Sequence, residues 1–432
     1  MAPMERHGGW TGAARIAALA ALILLSFAGG GGAAAAADPI GADRLTGLDA
    51  YLARAREEMG IPGVALVVVE GDQIVHLTAL GVADGSGRPV TPQTPFMLAS
   101  VSKAFTAMAV LQQVEAGRLD LDAPAQRYLP WFAVADTDAA TQITLHQLLY
   151  HTSGLSPTSG QAYHDSDDQD VGALERAVRA LASTSLVAAP GAEHQYSNSN
   201  YDVLGLIVEA VSGEPFSAYI EEHVFAALDM THSHALLRSA QADGLAAGYY
   251  HWFGLAWQPA PIPLPRAGGP SATMFASAED LGHQLIAHLN EGHYGSNRVL
   301  SPAGIATLHA AGVETDEFNG YAMGWNVRPL WEALPSDDPE RRPGVRAASA
   351  PRTWGRVAER AHLRGVRPGT GLGLRVARQR RGLRGGLALL AAGRERPAHP
   401  DGSRSAWLEP GGGPAHPARP ARGRPPVAGG AR

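Results

Sequence analysis

The sequence predicts an α+β protein in which an antiparallel sheet is flanked by helices and interrupted by a helical insertion. Three observations carry this expectation. Two short apolar runs, residues 64–70 and 73–80, are joined by Gly71-Asp72 and read as strand, tight turn, strand. A long stretch from residue 101 to about residue 290 is dominated by apolar residues at helical spacing. Residues 320–327 then read as a strand returning to the first sheet. No internal repeat is present.

The chain opens with an export pattern. Arg6 and Arg15 form a basic start, residues 16–27 an apolar core too short to span a bilayer, and Ala35-Ala36-Ala37 a small-residue cleavage site before Asp38. Residues 1–37 are therefore expected to act as a signal peptide, with the mature protein periplasmic or secreted. Residues 45–59 have helical spacing that stops at Gly60. After the strand pair, residues 91–96 lead into Met97-Leu98-Ala99-Ser100. From Val101 the apolar residues recur at helical spacing to Glu115, and Gly117 ends that helix. Within the middle stretch, residues 145–150, 203–211 and 278–289 read as further helices.

Composition narrows the function classes. The 432 residues are 45% hydrophobic and 18% charged, enough apolar content for a real core. The net charge of −6 points to neither nucleic acid nor a membrane surface as partner. It averages an acidic body and an Arg-rich tail whose only acids beyond Glu340 are Glu359, Glu395, Asp401 and Glu409. There is no cysteine, which excludes disulfides and thiolate metal or redox sites. Beyond the export segment no stretch is long and apolar enough to cross a membrane as a helix.

The chemistry gathers at Ser100-Val101-Ser102-Lys103. At the start of a helix, residues three apart share a face, so the lysine amine sits beside the serine hydroxyl. The helix start adds a positive field and free N–H groups where an oxyanion would form. A serine hydroxyl is a poor nucleophile without an adjacent base, and a free lysine amine accepts a proton only where burial and neighbouring charge favour its neutral form. Lys103 is the only lysine in the chain; every other long cation is Arg, which cannot act as a base. A second element is Tyr196-Ser197-Asn198, read as a loop just after Pro190-Gly191. Its Tyr can exchange a proton with a hydroxyl or leaving group, and its Asn can hydrogen-bond a substrate amide.

Together these residues resemble a known family. The run Pro95-Phe96-Met97-Leu98-Ala99-Ser100-Val101-Ser102-Lys103 is similar to the first motif of the class C β-lactamases and related serine hydrolases, including penicillin-binding proteins and D-Ala-D-Ala carboxypeptidases. Tyr196-Ser197-Asn198 resembles that family's Y-x-N element, and His151-Thr152-Ser153-Gly154-Leu155 its H-T-S-G-L segment. Gly60-Ile61-Pro62-Gly63 and Tyr321-Ala322-Met323-Gly324-Trp325 also resemble family segments, in the family's order, over residues 45–327. The resemblance implies a β-lactamase/transpeptidase-like fold, with Ser100, Lys103 and Tyr196 as catalytic residues and Asn198 in substrate binding. It implies a serine hydrolase that forms an acyl-enzyme on a β-lactam, a D-Ala peptide from peptidoglycan, or an ester, with no metal or organic cofactor. It makes His151 structural. His232 and His234 have no evident third ligand, and Asp165 to Asp168 read as a solvated loop.

One family element is missing. A Lys-Thr-Gly or His-x-Gly strand motif, which supplies an oxyanion-hole N–H, should follow Gly324-Trp325, but from about Pro335 the text turns to Arg, Gly, Ala and Pro. Read one nucleotide later, the codons for Thr353-Trp354-Gly355-Arg356 permit His-Gly-Gly. The hydrolase domain is therefore bounded at residues 38–335, with 336–432 a frame-shifted or disordered tail and the C-terminal strands of the sheet missing. The alternative to a working hydrolase is an inactive, penicillin-binding-like recognition module or a truncated product without function.

Overall fold

A computed structural model describes residues 42–250, 258–259, 263–315, 320–328, 362–364, 372–378 and 384–391. The export segment expected at residues 1–37 and the motif position at 353–356 lie outside the described residues. Two units are distinguished, Met1–Arg396 and Pro397–Arg432, and every described residue belongs to the first.

Helix α1 (Ala42–Glu58) leads into strands β1 (Gly63–Glu70) and β2 (Gln73–Gly81), which pair antiparallel from Gly63↔Gly81 to Glu70↔Gln73. The strand period of two divides β1 between two cores. Val64, Leu66 and Val68 pack with Leu48 and Leu52 of α1. Ala65, Val67 and Val69 join the main core. Each buried Val or Leu side chain contributes about 1.5–3 kcal/mol relative to exposure, so β1 is the spine of the sheet.

Strand β3 (Phe96–Met97) enters a single 3₁₀ turn, Ala99–Val101, and then helix α2 (Ser102–Glu115). Residues 102–111 of α2 are all buried, so this helix runs through the interior with its N-terminus at the cleft. The insertion contributes α3 (Leu145–Leu149), opened by a Thr144–Gln147 capping box, and α4 (Ala173–Arg179). It continues with α5 (Asn198–Ser212), stopped by Gly213 in the left-handed conformation. Strand β4 (Phe275–Ala276) pairs with β3. Helix α6 (Ala278–Leu289), capped by Ser277, packs on the sheet, and α7 (Pro302–His309) carries Pro at its first turn.

The expected returning strand is a hairpin, β6 (Gly320–Ala322) and β7 (Trp325–Arg328), with β5 (Val313–Glu314) on its outer side. The chain reverses because Gly324 takes a φ of +81°, open to glycine at little cost. The expectation that the C-terminal strands are missing is corrected. Strands β8 (His362–Arg364), β9 (Leu372–Arg378) and β10 (Arg384–Ala391) join the sheet, which among the described residues has eight strands in the order β2-β1-β10-β9-β8-β7-β6-β5. β10 pairs with β1 from Val64↔Ala391 to Glu70↔Gly385. The reason is physical: β1 is buried, and an interior strand with one open edge leaves a row of unpaired N–H and C=O groups. The short run 384–391 satisfies it, and 372–378 pairs in turn with that run, despite the Arg-rich composition around them.

Candidate active site

The site begins with a backbone irregularity. Ala99 has a φ of +48°, a left-handed conformation that an alanine adopts at a cost of about 1–3 kcal/mol. It turns the chain so that Ser100 stands exposed at the head of α2. The Ser100 N–H has no hydrogen-bond acceptor among the described residues, which leaves it free to face an oxyanion.

Lys103 lies one turn further on and is 1% exposed. Its Nζ is 3.4 Å from Ser100 Oγ and donates to Asn198 Oδ1 and to the Ser271 carbonyl, each at 2.7 Å. All three partners are neutral oxygens, and the amine lies over the Tyr196 ring at 4.8 Å and the Tyr201 ring at 5.7 Å. The Tyr196 hydroxyl donates to Ser100 Oγ at 2.8 Å. The nucleophile candidate thus touches two proton-transfer groups. All four residues expected from the sequence converge. Asn198 differs from expectation only in opening helix α5 instead of sitting in a loop.

Glycines let the elements approach. A Cβ on Gly324 would lie 2.9 Å from the Cα and N of Ala104 and from the carbonyl carbon of Lys103, so the β6–β7 turn rests directly on the start of α2. A Cβ on Gly205 of α5 would meet the Pro270 side chain at 2.2 Å, so α5 lies against the segment that offers the Ser271 carbonyl.

Sequence reasoning missed that carbonyl, because a backbone acceptor leaves no side-chain signature; Gly268-Gly269-Pro270 signals only a turn. It also missed the framework under Tyr196. His151 is fully buried, and its Nδ1 accepts from the Ser197 N–H at 3.2 Å and from Asn200 Nδ2 at 3.0 Å. Its Nε2 therefore carries the proton and donates to the Tyr321 hydroxyl at 3.1 Å. Burial, with the nearby charge of Lys103 and the ring of His194, holds the His151 imidazole well below the usual histidine range, so it is neutral. Behind this, Asp202 pairs with His164 at 2.9 Å. Burial pulls the His164 imidazole down, but the Asp202 carboxylate wins and raises it.

The remaining polar residues lie in other surroundings. His232 Nδ1 and His234 Nε2 share Asp243 Oδ2 at 3.0 and 2.8 Å, a partner that the spacing did not indicate. Asp168 is held by Arg176 at 2.6 Å.

A family model described as Beta-lactamase matches residues 48–393. Penicillin-binding protein 4 of Amycolatopsis lactamdurans is 33% identical over 290 residues, 65% of this chain and 74% of that protein. Esterase EstB of Burkholderia gladioli is 35% identical over 268 residues, 58% of this chain and 66% of that protein. In fold, the crystal structure of D-alanine carboxypeptidase AmpC from Burkholderia cenocepacia is similar with a TM-score of 0.62 at 24% identity, covering 82% of this chain and 95% of that one.

Proposed function

The chain belongs to the beta-lactamase family of serine hydrolases, and we propose that it cleaves an amide or ester through an acyl-enzyme on Ser100. The observation that carries this is the contact of Ser100 Oγ with both the Tyr196 hydroxyl and the buried amine of Lys103. Ser100 Oγ bonds to the substrate carbonyl carbon while its proton leaves through the Tyr196–Lys103 pair. The Ser100 N–H receives the developing oxyanion, and Asn198 holds the substrate amide. The bond to the leaving nitrogen or oxygen then breaks, the proton goes to the leaving group, and the acyl group stays on Ser100. Water adds to that acyl carbon, releasing the acid and restoring the Ser100 hydroxyl.

The substrate class is a β-lactam, a D-Ala peptide or an ester, in keeping with a penicillin-binding protein and an esterase among the relatives. The export pattern of residues 1–37 supports a periplasmic or secreted location. A second reading, an inactive recognition module, is favoured by one observation: residues 329–361 contain no Lys-Thr-Gly or His-x-Gly motif. Hydrolysis of p-nitrophenyl acetate by the full chain and by Ser100→Ala tests the proposal. Turnover that disappears in Ser100→Ala supports the hydrolase; a parent without turnover supports the inactive module; turnover surviving in Ser100→Ala removes Ser100 as nucleophile.

A further inference from the structure

We propose that His151 is a positioning residue whose Nδ1, as a hydrogen-bond acceptor, sets the placement of Tyr196 and Asn198 against Ser100. The inference rests on the acyl-enzyme reading above. Tyr196 and Asn198 flank Ser197, and the Ser197 N–H is the donor that His151 Nδ1 accepts. The His151 carbonyl accepts from the Gln195 N–H at 2.7 Å, so one residue holds the segment on both sides of Tyr196. The same Nδ1 accepts from Asn200 in the first turn of α5, the turn that begins with Asn198. The His151 ring also lies 4.4 Å from the Tyr196 ring, centroid to centroid.

The acceptor is itself fixed. The Nε2–H donates to the Tyr321 hydroxyl, a tautomer that keeps a lone pair on Nδ1, and Asn200 is held in turn by Ser153. Among the described residues, the titratable groups around the ring are Lys103, His194, Tyr196, Tyr201 and Tyr321, none of them a carboxylate that would favour imidazolium. His151 also has a φ of +57°, in the left-handed region that His, Asn and Asp enter more readily than other non-glycine residues. A buried histidine with positive φ, hydrogen-bonded at both ring nitrogens under the segment that carries Tyr196, exceeds what core filling requires.

Covalent geometry supplies the discriminating variants. Asn carries its Oδ1 the same number of bonds from Cβ as His carries Nδ1, and it tolerates positive φ. Gln reaches the Nε2 position instead, and Gly relaxes the backbone but offers no side-chain acceptor. His151→Asn should keep kcat for p-nitrophenyl acetate within about threefold of the parent, whereas His151→Gln and His151→Gly should lose about 10–100-fold in kcat with KM changed less than about threefold. Melting curves establish that each variant is folded at the assay temperature. Equal losses in Asn and Gln, Gly matching Asn, or rates that simply follow Tm would overturn the assignment. Ser100→Ala in the same assay separates this outcome from failure of the acyl-enzyme reading, because there the parent rate itself would not depend on Ser100.

Discussion

Replacing Tyr196 by Phe deletes a single atom from the site. The hydroxyl removed is 2.8 Å from Ser100 Oγ, while the ring that covers Lys103 Nζ at 4.8 Å and contacts His151 at 4.4 Å is retained. The hydrogen bond lost is partly exposed and contributes about 0.5–1.5 kcal/mol to stability. In a domain of this size that corresponds to a fall in Tm of no more than about 5 °C. The kinetic effect is far larger if the hydroxyl relays the Ser100 proton in the transition state. General acid–base groups contribute about 10²–10⁴-fold, which is about 2.7–5.4 kcal/mol of barrier. Stopped-flow hydrolysis of p-nitrophenyl acetate measures the acylation burst and the steady state separately. The expected outcome is a kcat lowered at least about 100-fold, little change in KM and a near-parental melt. A burst rate within about fivefold of the parent would refute a proton-transfer role for Tyr196 and leave Lys103 as the remaining base.

Lys103→Arg should be nearly as damaging as Lys103→Ala, because the guanidinium keeps the charge but accepts no proton and cannot fit the two 2.7 Å contacts of the compact amine. A rate restored by Arg would make Lys103 an electrostatic support only. Gly324→Ala should destabilise by about 1–3 kcal/mol, since the new methyl combines a positive φ with backbone contacts at 2.9 Å; a denaturant melt with an unchanged midpoint would contradict the packing described. Stability should fall on acidification from pH 7.5 to 5.5. His151, His194 and His288 titrate below 6.5 when folded, so their stabilisation is complete above 6.5 and is lost as the unfolded chain takes up their protons. His164, raised by Asp202, works the other way: its contribution is complete below 6.5 and fades as pH rises through its folded value. A raised Asp280 also favours the acid side. The buried neutral pair His151 and His288 should dominate, and a Tm that rises on acidification would show that it does not.

What the sequence made legible was local. Ser100 and Lys103 are one helical turn apart, and the chain contains a single lysine, so their meeting follows from helix geometry alone. The β1–β2 hairpin was visible because two short apolar runs and the Gly71-Asp72 turn between them agree. What stayed hidden depended on contacts between distant segments. The Ser271 carbonyl lies 168 residues from Lys103 and has no residue-type signal. His151 was recognisable as part of a family segment, but the three hydrogen-bond partners of its ring, at Ser197, Asn200 and Tyr321, come together only through folding. Strands β9 and β10 were missed because the Arg, Gly and Pro of the whole tail outweighed two short runs, and because the demand of β1 for a partner is a property of the sheet.

The central claim, that Ser100 is the acylated nucleophile, is tested most directly by covalent labelling of the full chain with a fluorophosphonate and, separately, a fluorescent penicillin, followed by intact-mass measurement and peptide mapping. The account predicts one adduct per chain from the fluorophosphonate, mapped to Ser100 and absent from Ser100→Ala; labelling by the penicillin at the same residue would place the substrate class with β-lactams and D-Ala peptides. No fluorophosphonate adduct on the folded chain, or an adduct that persists in Ser100→Ala, would contradict it.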